Sequence, residues 1–177
     1  GVISDVLSAL FQGRTELRRR LVPLALDLGR PTDAHEHLVK HLLPDSPEDP
    51  ELCLFLARAQ EGMGKYDLSA ASYRKAIGLA PARLEAYIRL GRMLRRRRDA
   101  PKEADAVMGK MVAANESSCE AHVAYGRYLL STTRGEESAR LDQAAGAAAT
   151  ALKLAPEDLD ALYLAAQCAV KKKDYEH

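Results

Sequence analysis

Apolar residues recur every three or four positions along almost the whole chain, which is the spacing of an α-helix with one buried face. Short clusters that contain Gly, Pro, Asp and Ser interrupt this pattern and mark turns between the helices. The pattern predicts helices at residues 2–12, 17–28, 33–43, 51–62, 68–79, 84–97, 102–114, 120–132, 141–154 and 159–172. We therefore expect an all-α protein.

The first predicted helix has one apolar stripe and ends at Gly13. The stripe consists of Val2, Ile3, Val6, Leu7, Leu10 and Phe11. It requires a partner surface, and packing on the rest of the chain is the simplest one. In the hairpin that follows, Pro23 is expected to kink the first helix, and Thr32 or Asp33 is expected to cap the second.

The chain also repeats itself. One pair of positions in the first helix of each unit returns after shifts of 34, 35 and 40 residues, as Leu56-Ala57, Leu90-Gly91, Tyr125-Gly126 and Ala165-Ala166. Repeats of this length are pairs of helices that are too small to bury their apolar faces alone, so they stack on one another. Small residues at these positions let neighbouring helix backbones approach closely, and the Ala-rich second helices do the same.

These positions resemble the tetratricopeptide repeat, a helix-turn-helix unit of about 34 residues. The unit at 50–83 matches through Leu56, Ala57, Gly64, Tyr66, Ser69, Tyr73, Ala76 and Pro81. The next unit matches through Tyr87, Leu90, Gly91, Ala104, Met108 and Met111, and the third through Tyr125, Gly126, Ala144, Ala148, Ala151 and Pro156.

The resemblance implies a right-handed superhelical stack of antiparallel helix pairs, that is, an α-solenoid of the tetratricopeptide-repeat type. We divide the chain into an N-terminal amphipathic helix at 1–14, a degenerate helical hairpin and connector at 15–49, and repeats at 50–83, 84–118 and 119–158. The second repeat has one inserted residue, and the third has a longer internal loop at 133–140. Residues 159–177 are interpreted as the first helix of a truncated repeat, with a turn at Asp174-Tyr175 like that at Tyr66-Asp67.

In this family the first helices form the concave wall against which ligands usually lie, so their outward stripe is the candidate site. Its basic edge consists of Arg58, Arg92 and Arg127, followed by Gln167. Its apolar middle consists of Leu54, Ile88, Val123 and Tyr163. An acidic edge consists of Glu51, Glu85, Glu120 and Asp160. We predict that the basic and apolar positions bind the partner.

Two interpretations of the arginines remain open. Their planar guanidinium groups suit the carboxylates or main-chain carbonyls of an extended peptide. Alternatively, each arginine pairs with a neighbouring carboxylate of the chain itself. The acidic residues are assigned mainly to helix starts, where a negative charge stabilises the helix dipole.

Composition excludes several other functions. The 26 basic and 25 acidic residues nearly cancel, and no apolar run approaches the roughly 20 residues of a membrane span, so we expect neither nucleic acid nor a membrane as partner. The basic run at Arg95–Arg98 is typical of a solvated helix end. His37 and His41 supply at most two ligands, and the three cysteines form no C-x-x-C pair, so no metal or cofactor is predicted.

No catalytic motif is present, and the favoured function is a non-catalytic scaffold that binds a protein or peptide, with acidic peptides as candidates, in the cytoplasm. Two alternatives stay open. One is an accessory repeat region of a larger enzyme whose catalytic domain lies outside this sequence, since we expect the native chain to continue past His177. The other is self-association through Val2, Leu7 and Phe11 or through the truncated C-terminal repeat.

Overall fold

The structure is a computed structural model that describes the backbone of residues 2–97, 99–131 and 137–175 and the side chains of residues 12–97, 99–131 and 138–173. Within these ranges all regular secondary structure is helical, which confirms the all-α prediction. The α-helices are α1 (Val2–Asp27), α2 (Pro31–His37), α3 (Pro50–Gly62), α4 (Tyr66–Leu79), α5 (Leu84–Arg97), α6 (Pro101–Ala114), α7 (Cys119–Leu130), α8 (Glu137–Leu154) and α9 (Leu159–Tyr175). A π-helical segment, Leu38–Leu42, continues α2. None of the helices in the described part of the chain combines the length and apolar character that crossing a bilayer requires.

The chain forms two compact units, residues 1–101 and 102–177. In the first unit, α1 packs on α2, α2 on α3, α3 on α4, and α4 on α5. In the second unit, α7 packs on α8 and α9, which also pack on each other. A connection of only three residues between α3 and α4 makes them antiparallel neighbours. Consecutive helices from α1 to α5 in the first unit, and from α7 to α9 in the second, therefore stack as the repeat pattern predicts.

Three turns of the first unit share one backbone feature at intervals of 35 residues. Gly29, Gly64 and Asp99 adopt left-handed conformations, with φ of 69°, 74° and 47°. The N–H of the next residue then donates back to the preceding helix, over 2.8 Å from Arg30 to Ala25 and over 2.8 Å from Lys65 to Gln60. Glycine adopts a positive φ without steric cost, which explains the glycines at the first two turns. Aspartate is among the few other residues that tolerate this conformation.

Hydrogen bonds fix α4 against α3. The buried Ser69 hydroxyl donates to the Ala57 carbonyl over 2.8 Å, and the Tyr73 hydroxyl donates to Glu61 Oε2 over 2.7 Å. Burial and the adjacent Glu61 carboxylate both raise the pKa of Tyr73. The small and aromatic residues of the second helix therefore stabilise the pair through polar contacts as well as packing.

Small residues also permit the close packing that the sequence predicts. Ala76 and Ala151 are fully buried. A Cβ added at Gly126 on α7 would lie 2.5 Å from Leu164 Cδ2 and 3.4 Å from the Ala144 carbonyl oxygen, so a side chain at this position would require Leu164 to shift. The first unit has a core of Val22, Ala34, Leu38, Leu42, Leu52 and Ala59, and a core cluster of the second comprises Val123, Ala151 and Ala161.

The structure corrects the prediction for the N-terminal region. α1 is one helix that runs through Gly13 and Pro23, so Gly13 does not end a helix. An isolated glycine costs a helix only about 1 kcal/mol, and no cluster of breakers surrounds it. α2 begins at Pro31, so neither Thr32 nor Asp33 is its cap. Proline suits the first helical position because the N–H that it lacks would have no partner there.

The structure also corrects the C-terminal repeat. α8 already includes Glu137, four residues before its predicted start at residue 141, and residues 133–136 of the predicted connector lie outside the described part. α9 continues to Tyr175, so the turn predicted at Asp174-Tyr175 is wrong. Tyr66, on which that analogy was based, is itself the first residue of α4.

Candidate partner-binding surface

Side-chain caps fix where the first helices of the repeats begin. The Asp49 carboxylate caps α3 by accepting hydrogen bonds from the N–H groups of Glu51 and Leu52, over 2.9 and 3.1 Å. Burial raises the pKa of Asp49, but the hydrogen bonds from Arg19 and from these N–H groups outweigh it, so the pKa lies below its ordinary value. Ser118 caps α7 in the same way, and Asp158 accepts a hydrogen bond at the start of α9. These caps set the register of the outward stripe.

Arg58, on α3, is largely occupied by the chain itself. Its guanidinium donates to Asp27 Oδ1 over 2.9 Å and lies over the Phe55 ring, 5.8 Å from the centroid. Only 16% of the Arg58 side chain is exposed. This environment supports the interpretation in which the arginine pairs with a neighbouring carboxylate.

Arg92, on α5, is in a different environment. Its side chain is exposed and forms no ion pair with any described side chain. Arg96 lies one helical turn further on, is also exposed, and likewise has no described ion-pair partner. Arg98, the last residue of the basic run, lies outside the described part. Together Arg92 and Arg96 present two guanidinium groups to solvent at the C-terminal end of α5.

The predicted apolar middle is mostly inaccessible. Leu54 and Val123 are only 1% and 4% exposed, so their side chains belong to the cores and are not open to a partner. Ile88 is half-buried. Tyr163, on α9, is exposed and is the predicted apolar position that offers most of its surface to solvent.

In the second unit, Arg127 donates to Asp160 Oδ1 over 2.5 Å. This bond joins α7 to α9, and both side chains are close to half exposed or more. Gln167, also on α9, is half-buried. Because Arg58 and Arg92 belong to the first unit and Arg127 to the second, a single wall carrying all three remains a prediction.

The four acidic positions lie in the first turns of their helices, where their charge stabilises the helix dipole. Glu85 also accepts a hydrogen bond from Arg89 over 2.6 Å, and Glu51 lies 3.8 Å from Arg83. Exposed ion pairs of this kind contribute little to stability. The acidic edge is therefore mainly a property of helix starts.

The histidines and cysteines have specific environments as well. The rings of His37 and His41 lie 6.3 Å apart, and Nδ1 of His37 is buried without a hydrogen-bond partner. Among the described residues, no group of three His, Cys, Asp or Glu side chains is arranged to hold a metal ion. Burial raises the pKa of each cysteine, Cys53, Cys119 and Cys168, so the thiol form is favoured.

The structure shows contacts that the sequence analysis did not identify. Asp105 on α6 accepts hydrogen bonds from the Tyr128 hydroxyl over 2.6 Å and from Arg140 over 2.7 Å, which joins three helices of the second unit. Nothing in the repeat spacing indicates this cluster, because it depends on one residue from each of three helices. The side chains of Val2, Leu7 and Phe11, predicted as a self-association surface, lie outside the described part.

Comparison with known proteins agrees with this architecture. Tetratricopeptide-repeat family models match residues 50–83 and 136–176. No curated protein sequence matches the chain. Among solved structures, TTC0263, a thermophilic tetratricopeptide-repeat protein of Thermus thermophilus, is similar at a TM-score of 0.62 and 22% identity, over 95% of this chain and 96% of that chain.

Two further solved structures show the same fold. MamA from residue 41 to its end, of Desulfovibrio magneticus RS-1, has a TM-score of 0.59 and 23% identity over 92% of this chain and 87% of that chain. YrrB, a tetratricopeptide-repeat protein with an unusual peptide-binding site, has a TM-score of 0.55 and 19% identity over 92% and 84%. Residues 50–83 and 136–176 are therefore tetratricopeptide repeats, and the chain shares the α-solenoid fold of these solved structures.

Proposed function

We propose that the chain is a non-catalytic scaffold that binds an acidic, extended segment of a partner protein on its first helices. The observation that carries the proposal is the Arg92 guanidinium, which is exposed and has no ion-pair partner among the described side chains. Proteins of this fold are interaction scaffolds, and YrrB, one of the similar structures, has a peptide-binding site.

Arg92 and Arg96 together favour an acidic ligand. They are one helical turn apart on α5, so both can face the same segment of peptide. A guanidinium binds a carboxylate through two parallel hydrogen bonds, which makes Arg more selective for this group than Lys. An unpaired arginine also loses no internal ion pair when it binds.

The other predicted arginines have different roles in this proposal. Arg58 is assigned to stability, because its guanidinium is held by Asp27 and Phe55. Arg127 is a weaker ligand contact, because a peptide carboxylate must displace Asp160. Tyr163 supplies an exposed ring against which an apolar part of a ligand can pack.

The test is fluorescence anisotropy with short labelled peptides rich in Glu, together with Gln and Lys versions of the same sequences. A hydrogen bond to a charged group is worth about 1.5–3 kcal/mol, so Arg92→Glu should weaken binding of the Glu peptide about tenfold or more. Binding should also weaken as salt is raised.

Lys153→Glu is the matched control, since Lys153 is an exposed cation on a second helix and the change in net charge is the same. It should reduce affinity far less than Arg92→Glu. Equal losses in the two variants would mean non-specific attraction to overall charge, and an unchanged affinity in Arg92→Glu would remove α5 from the binding surface. Either result would refute the proposal.

A further inference from the structure

Helix α1 has two apolar faces, and only one of them is packed. Val22 is fully buried in the core of the first unit, and Ala25 and Leu26 pack against that core. The other face carries Leu17, Leu21 and Leu24, and Leu28 continues this stripe just after the helix ends at Asp27. The exposed fractions of these four leucines lie between 37% and 66%. A helix in a stable monomer usually buries one stripe and exposes polar residues on the other.

The exposed leucines follow the spacing of a coiled coil. Their separations alternate between four and three residues, which is the heptad pattern of the positions that form a coiled-coil seam. In the sequence this pattern continues through Arg14, Leu10, Leu7 and Ile3, and the backbone of α1 is helical from Val2 onward. Seven of the eight positions are apolar, over 26 residues. Nearly four heptads is the length at which such a pattern indicates a coiled coil.

We infer that this stripe is the seam of a homodimer in which α1 of one copy packs antiparallel against α1 of a second copy. Arg14, the one polar position of the stripe, determines whether the two helices run parallel or antiparallel. In a parallel pair, Arg14 would face Arg14 of the second copy, and two like charges would meet in an apolar seam. In one antiparallel register, each residue lies opposite the residue of the second copy for which the two residue numbers add up to 31. Arg14 then faces Leu17.

The same antiparallel register matches the rest of the seam. It opposes Ile3 to Leu28, Leu7 to Leu24 and Leu10 to Leu21, so each apolar position meets another. Arg14 is exposed and forms no ion pair with any described side chain, which leaves it able to extend out of the seam into solvent. A second copy therefore supplies a complementary surface without any change in sequence, as an isologous dimer requires.

The surroundings of the stripe suit an apolar helix. A cleft of about 350 Å³ opens between α1 and α2, and Leu21, Leu24 and Leu28 line its apolar side. Charged residues at its rim are already neutralised within the chain, in the ion pairs Arg30–Asp33 (2.5 Å) and Glu36–Lys40 (2.7 Å). The N-terminal half of the second copy's α1 is the part that this register places along the cleft.

The first test is the oligomeric state of the full chain by light scattering across a dilution series. The wild type should show about twice its 19.4 kDa chain mass at high concentration, and Leu17→Glu/Leu24→Glu should show the single-chain mass. Both leucines are exposed, so the circular dichroism spectrum of this variant should not change. A matched control is Leu159→Glu/Leu162→Glu, which places the same charges at two exposed leucines of α9 and should remain dimeric.

The second test measures the register by disulfide trapping in a Cys119→Ser background, where Cys53 and Cys168 are buried. Leu7→Cys/Leu24→Cys should give a covalent dimer, because these positions are opposed. Leu7→Cys alone should not, because its two copies would be about 25 Å apart along the helix axis, and a disulfide needs Cα atoms within roughly 7 Å. A wild-type monomer at every concentration, a dimer that survives Leu17→Glu/Leu24→Glu, or cross-linking of Leu7→Cys alone would each overturn the inference.

Discussion

The substitution Gly126→Ala tests how closely the repeats are packed. A Cβ at this position would lie 2.5 Å from Leu164 Cδ2 and 3.3 Å from Leu164 Cδ1, and 3.4 Å from the Ala144 carbonyl oxygen. Carbon atoms pack best at about 3.5–4.0 Å, so the added methyl group overlaps the leucine. Leu164 is fully buried, and it therefore cannot move its side chain into solvent to make room.

Two opposing terms determine the size of the effect. Replacing Gly by Ala inside a helix gains about 1 kcal/mol of helix propensity. Overpacking a core by one methyl group costs about 1–3 kcal/mol. The net effect of Gly126→Ala on the free energy of unfolding should therefore range from about zero to a loss of about 2 kcal/mol.

Gly146→Ala isolates the packing term, because Gly146 also lies inside a helix of the second unit but has no atom within 4 Å of the added Cβ. It should stabilise the protein by up to about 1 kcal/mol. The difference between the two variants should thus be about 1–3 kcal/mol, in favour of Gly146→Ala.

Urea unfolding followed by circular dichroism measures this difference. Because the chain has two compact units, amide hydrogen exchange of α7 and α9 should accompany it, to show that the loss occurs in the second unit. If Gly126→Ala proved as stable as Gly146→Ala, with unchanged exchange in α7, the close approach of α7 and α9 would not constrain this position.

Three further predictions concern the first unit. Gly64→Ala should lower the free energy of unfolding by about 1–2 kcal/mol, because φ is 74° there and alanine is strained at a positive φ. Asp99→Gly should raise the free energy of unfolding by up to about 1 kcal/mol, because glycine adopts the φ of 47° without strain. Urea unfolding tests both, and a change of the same sign and size in the two variants would contradict them. Tyr73→Phe should cost about 1.5–3 kcal/mol in the same assay, because a part-buried hydrogen bond to the Glu61 carboxylate is lost. Ser131→Ala, outside this unit, is its control. Asp49→Asn should be less stable than the wild type at neutral pH by about 1 kcal/mol. The folded pKa of Asp49 lies below its ordinary value of 3.8, so the wild type should lose this advantage as the pH falls through that folded pKa; a difference that persisted in strong acid would refute the assignment.

Features that depend on local signals could be predicted from the sequence. The helix predicted at 84–97 begins at Leu84, as the pattern predicts, since Pro81 and polar Arg83 precede it. Gly64 lies in a turn, as the sequence pattern predicts, and its positive φ is the physical reason that glycine occurs there. The tight packing at Gly126 followed from the repeat, because a small residue at a fixed position of a stacked helix indicates close approach.

Features that depend on the depth of packing could not be predicted. The helical spacing assigned Leu54 and Val123 to the outward stripe, yet both are buried. Spacing along one helix gives the direction of a side chain but not how far neighbouring helices cover it. The continuity of α1 through Gly13 was missed for a related reason, since a single weak breaker does not end a helix whose other residues favour it.

The arginines show why equivalent positions in a repeat need not share a function. Arg58 pairs with Asp27, which precedes it in the chain, whereas Arg127 pairs with Asp160, which follows it. The repeat keeps the position of the arginine along its helix, but it does not fix where in the sequence the paired carboxylate lies. Arg92 has no such carboxylate among the described side chains, so its charge remains available. In a stack of similar units, the position left unpaired is therefore a better guide to ligand binding than the position that recurs.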